Sequence, residues 1–147
     1  MGMEPLKDFA LGARNLIIID PYILCPPAPP DDRTSQEETA TNYAEVLAVV
    51  AGVAELERLH LIYLEGNRYT RPAFVHACDR EGCRLTMKRS EKIHDRIWIK
   101  DYAKALAAGT SLNSTNGQKL AFVLPLPKSD LEFVMQFMRD NDLMPPV

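Results

Sequence analysis

No run of this sequence is long and apolar enough to cross a bilayer. The longest, Val46 to Ala54, contains Gly52 and is closed by Glu55, Glu57 and Arg58, well short of the roughly 20 residues that a spanning helix needs. An excess of one charge sign is also lacking. The formal net charge is −3, so the chain as a whole exerts no pull on nucleic acid or acidic membranes, and any anion site must come from local geometry. Cysteine is scarce and odd in number, at Cys25, Cys78 and Cys83, which argues against a disulfide framework and for reduced thiols. His76, Cys78 and Cys83 lack the second Cys/His pair that would complete four zinc ligands, so no metal and no cofactor are expected. The N-terminus, with Glu4, Lys7 and Asp8, lacks a basic-then-apolar leader pattern. The expectation is a soluble, cytoplasmic protein without a transmembrane segment.

What is present suits one compact unit. The 147 residues are 46% apolar, enough to bury a core, and neither a repeat nor a linker divides residues 1–147. Leu16-Ile17-Ile18-Ile19 predicts a buried strand stopped by Asp20-Pro21, which leaves the Asp20 carboxylate at the strand's exit. The proline-rich Cys25 to Asp32 predicts an extended loop. Ser35 with Glu38 forms a capping box ahead of a helix running to about Arg58. Leu59 to Leu64 predicts a second strand, Thr70 to Glu81 a helix with Pro72 in its first turn, and Cys83 to Lys88 a third strand. That alternation belongs to crossover units on a mostly parallel sheet. Ile93 to Lys100, Lys104 to Ala108 and Leu120 to Leu124 then predict hairpin-connected strands, one turn falling at Asn116-Gly117. Ser129 and Glu132 give a second capping box for a closing helix with Leu131, Val134, Met135 and Met138 on one face. The fold class expected is α/β, a mixed sheet flanked by helices.

Chemistry concentrates in Ile93-His94-Asp95-Arg96-Ile97-Trp98-Ile99-Lys100-Asp101. In a strand, alternation puts His94, Arg96 and Trp98 on one face, near enough for one phosphate to meet imidazole and guanidinium together. Spacing alone serves a second reading equally well, a solvated strand face. Arg84, Lys88, Arg89 and Lys92 just upstream could form a local basic track for nucleic acid or be an ordinary solvated surface.

His94-x-Arg96-x4-Asp101, followed by Gly109-Thr110-Ser111-Leu112-Asn113, resembles the paired motif of the phospholipase D superfamily, with arginine in place of lysine and one extra residue before the asparagine. Asp20-Pro21-Tyr22-Ile23 and Ile93-His94-Asp95-Arg96 also look like the C-terminal phospholipase D-like domain of eukaryotic MIT-domain trafficking proteins. The resemblance implies a phospholipase D-like domain in which His94 is nucleophile or acid through a phosphohistidine. Arg96 would hold phosphate oxygens, Ser111 and Asn113 would add hydrogen bonds, and Asp101 would orient the site. Asp20, Tyr22, Trp98, Gly109 and Thr110 would contact substrate. With one motif per chain, hydrolysis requires a homodimer. The expected function is a dimeric phosphodiesterase acting on nucleic acid or phospholipid. The alternative is a non-catalytic module that binds an anionic lipid head group or a partner protein. Arginine keeps the charge of lysine but not its shape, which favours binding over turnover.

Overall fold

The computed structural model describes residues 3–29, 31, 33–109 and 123–146. Six strands form one mixed sheet in the order β3-β2-β1-β4-β5-β6. β1 (Asn15–Ile19), β2 (Arg58–Tyr63) and β3 (Arg84–Arg89) run parallel, joined by crossovers through α2 (Gln36–Ala51) and α3 (Thr70–Arg80). β4 (Arg96–Lys100) lies antiparallel to β1, and β5 (Lys104–Ala108) and β6 (Val123–Pro125) follow it as antiparallel neighbours. The α/β class and the mixed sheet expected from the sequence are thus observed.

The sheet is covered on both faces, which explains why its central strands read as unbroken apolar runs. On one side Leu16, Ile18, Leu59, Leu61 and Trp98 pack beneath Leu47 of α2, Phe74 of α3 and Leu6 of α1 (Glu4–Ala10). On the other, Ile17, Ile19, Ile62, Ile97 and Ile99 meet Leu131 and Met138 of α4 (Lys128–Asp140) and Leu143 beyond it.

Several boundaries differ from the sequence expectation, each for a local reason. α2 begins as expected, with the Ser35 hydroxyl accepting from the Glu38 N–H at 3.0 Å. It ends at Ala51 rather than near Arg58 because Gly52 takes a left-handed φ of 71° and its N–H bonds back to Ala48 and Val49. α1 was not foreseen; at 7 residues it is too short for its periodicity to stand out. α4 has no capping box, since its N-cap is Pro127 and Ser129 already lies inside the helix. β3 runs one residue later than expected, from Arg84. The turn expected at Asn116-Gly117, and the start of the last strand expected at Leu120, lie outside the described residues.

The chain after α4 is fixed by a buried histidine. His60 on β2 bonds Thr86 Oγ1 through Nδ1 at 2.6 Å and the Leu143 carbonyl through Nε2 at 2.8 Å. A carbonyl only accepts, so Nε2 carries the proton and Nδ1 receives the Thr86 hydroxyl. Burial lowers the pKa of His60, in keeping with this neutral form. His60→Ala should release this segment, costing about 1–3 kcal/mol and raising amide exchange at Leu143 and Met144 at least tenfold. Unchanged exchange there would show that Leu143 is held by its apolar packing alone.

Candidate functional site

Parallel strands of an open α/β sheet gather ligand-binding groups at their carboxyl ends, and here that end carries Asp20, Tyr63 and Arg89, with Arg96 opening β4 beside them. Asp20 is 1% exposed. Its Oδ1 accepts the Tyr22 N–H at 2.9 Å and lies 3.7 Å from Arg96 Nε. Burial pushes its carboxyl pKa up to about 6, opposed by the Tyr22 N–H and by the Arg96 charge. Asp20 and Arg96 are therefore brought together. Among the described residues, Asp20 Oδ2, Arg96 Nε and Trp98 Nε1 have no hydrogen-bond partner. The pair sits on the sheet face that holds Trp98, below α1, α2 and α3.

His94 does not share that strand face. β4 starts only at Arg96, because β1 stops pairing at Ile19 opposite Ile97, and β5 stops at Ala108 opposite Arg96. Residues 90–95 lie outside the strands, and His94 stands exposed in a loop. It borders an open groove of ≈ 460 Å³ with Arg96, Ile97, Ala107, Gly109 and Phe133, on the α4 side, so His94 and Arg96 line one groove without sharing a strand face. The expected face of His94, Arg96 and Trp98 is corrected accordingly.

Other expected site residues also move. Trp98 is 0% exposed and is a core residue rather than a ligand contact. Asp101 lies at the far end of β4, with φ of 52°, where its Oδ1 accepts the N–H groups of Arg14 and Asn15, each at 2.9 Å. It buttresses the start of β1, and five strand positions separate it from Arg96. Tyr22 is half-buried and contributes its backbone N–H to Asp20. Gly109 is exposed just past β5. Thr110, Ser111 and Asn113 lie outside the described residues.

The basic track is partly spent on the fold. Lys88 Nζ donates to the Asp142 carbonyl at 2.8 Å and Lys92 Nζ to Asn141 Oδ1 at 2.9 Å. Two cations that the sequence reading passed over stand at the same sheet end. Arg68 lies in the loop after β2, its guanidinium carbon 4.6 Å from the Tyr69 ring centre. Arg71, in the first turn of α3, is 5.9 Å from the Tyr63 ring. Tyr63 in turn pairs in register with Arg89. Neither Arg68 nor Arg71 was signalled, because only folding brings residues 64–71 beside residues 89–96. These two segments hold five arginines and lysines against three carboxylates, in a chain whose balance is −3.

The arrangement is an α/β sheet with a cationic carboxyl end. No family model matches the chain, and no curated protein does. Among solved structures the fold is similar to that of TrmBL2, described as an archaeal chromatin protein with a novel mode of DNA binding, with a TM-score of 0.52 and 12% identity. The likeness covers 95% of this chain and 49% of that one, so the chain spans about half the length of its neighbour. At that identity the likeness shows the fold alone. The structure it points to is nonetheless a DNA-binding chromatin protein and not a phospholipase D-like hydrolase. The expectation of a phosphodiesterase or anionic-lipid module is corrected on that finding. The homodimer was expected in order to complete a two-histidine hydrolytic site, and with that chemistry withdrawn its reason goes too. No helix among the described residues is long and apolar enough to cross a membrane.

Proposed function

We propose that this chain is a DNA-associating α/β domain that engages the phosphate backbone through the carboxyl end of its sheet. The observation that carries the reading is the likeness, over 95% of the chain, to a protein described as binding DNA. The cations at the sheet end support it: Arg68, Arg71 and Arg89 are exposed there, and Arg68 and Arg71 form no ion pair among the described residues. Among the described residues Arg89 is engaged only by Glu91, at 3.4 Å, an exposed contact that a phosphate can replace at little cost. Sequence selectivity has no support in this geometry, since phosphate contacts position a protein without reading bases.

Fluorescence anisotropy with a labelled 30-base-pair duplex tests the reading. Three phosphate contacts predict that affinity falls about 40-fold between 50 and 200 mM salt. Combining Arg68→Glu, Arg71→Glu and Arg89→Glu should cost more than about tenfold at low salt and flatten the salt dependence. Absence of binding at 50 mM salt, or equal affinity in the triple variant, would overturn the proposal.

A further inference from the structure

Cys78 and Cys83 occupy the two ends of the turn that closes α3. The helix ends at Arg80, Gly82 follows with a φ of 74°, and the Cys83 N–H returns to the Cys78 carbonyl at 3.0 Å. This six-to-one closure through a left-handed glycine brings the side chains on either side of it into contact. Bond lengths added to that hydrogen bond place the two Cα atoms at most about 7 Å apart. A disulfide usually spans roughly 4.4–6.8 Å between Cα atoms. Both side chains belong to the same buried cluster. Cys78 is fully buried, while Cys83 retains 6% exposure at the start of the edge strand β3.

We propose that Cys78 and Cys83 are a redox modification site, forming a reversible disulfide with a small-molecule disulfide such as oxidised glutathione as oxidant. The two thiols are unequal. The neighbouring Cys83 and burial raise the pKa of the Cys78 thiol, and of the two only Cys83 keeps some exposure to solvent and oxidant. Cys83 is therefore the attacking thiolate. Its sulfur bonds to one sulfur of the oxidant, the oxidant's S–S bond breaks, and the departing thiolate takes up a proton. Cys78 then gives up its proton and attacks Cys83 Sγ, expelling the second thiol. Two cysteine thiols are oxidised, and the oxidant receives two electrons and two protons. The product ties the end of α3 to the start of β3. Cys25 lies at the opposite end of the sheet, its thiol donating to the Glu65 carbonyl at 3.5 Å, and serves as the internal control.

The full chain is incubated with excess oxidised glutathione, unfolded, blocked with N-ethylmaleimide and mapped by mass spectrometry. The expected product is a single linked species carrying Cys78 and Cys83, lighter by about 2 Da and restored by dithiothreitol. Its melting temperature should be several degrees higher than that of the reduced chain. Cys78→Ser should instead trap glutathione on Cys83. Maleimide on both Cys78 and Cys83 of the wild-type chain after oxidation would overturn the proposal, as would glutathione confined to Cys25. Because the wild-type mapping stands by itself, a poorly folding Cys78→Ser does not leave the question open.

Discussion

Trp98→Ala is expected to destabilise the fold by about 3–5 kcal/mol, the usual cost of deleting a large aromatic from a core. Trp98 is 0% exposed on the sheet face beneath α1, α2 and α3, pairing in register with Ile18 on β1 and Leu106 on β5. Its loss opens a cavity that three secondary-structure layers hold apart, so little collapse can recover the contacts. Against a typical domain stability of about 5–15 kcal/mol, that is a large fraction. The indole has a second feature, an Nε1–H without a hydrogen-bond partner among the described residues. Trp98→Phe removes that N–H and leaves a smaller void, so it should cost only roughly 1–2 kcal/mol. Urea unfolding of the three proteins checks both numbers. Equal losses in the two variants would mean that the indole N–H contributes a hydrogen bond, and the reading of Trp98 as purely apolar packing would be wrong.

Asp20→Asn should leave the protein at least as stable as wild type at pH 7.5. The pKa of Asp20 rises from 3.8 to about 6 on folding, chiefly through burial. Between these values the folded chain binds more protons than the unfolded one, so stability falls as pH rises through the window and the penalty is complete above it. The shift corresponds to roughly 3 kcal/mol, an order-of-magnitude figure for a group this buried. Asparagine removes the titration and still accepts the Tyr22 N–H, while Arg96, partly exposed, turns to water. Wild type should therefore lose stability between about pH 4 and pH 6 relative to Asp20→Asn, whose profile should lack this component. The two denaturation midpoints, followed from pH 4 to 7.5, decide the matter. A variant less stable than wild type at pH 7.5, with the same pH dependence, would show that the Arg96 pairing outweighs burial. Asp20 would then be ionised throughout.

Much of the fold could be read from residue patterns because it is locally encoded. The β-branched run at residues 16–19, the Ser35 cap with Glu38, Pro72 early in α3 and Gly82 just past its end each act within a few residues, and each appears where expected. The alternation of these elements was enough to fix an α/β class and parallel crossovers. The pairing of Asp20 with Arg96 depended on a different kind of information. They are 76 positions apart and meet only because β4 lies antiparallel to β1.

The candidate site was less legible for the same reason. His94-x-Arg96 suggests a shared strand face, yet whether residue 94 belongs to a strand depends on neighbours for it to pair with, and β1 and β5 both stop short of it. Asp101 matches a motif by spacing, but the turn after β4 sends its carboxylate to the backbone of Arg14 and Asn15. By itself the sequence determined where most of the helices and strands lie and which of their faces are apolar, since propensity, capping and periodicity are short-range. Tertiary structure alone decided that Trp98 is core, that Lys88 and Lys92 hold the C-terminal turn, and that Arg68 and Arg71 join Arg89 at one sheet end. Those outcomes follow from strand order and register, which depend on contacts between residues far apart in the chain.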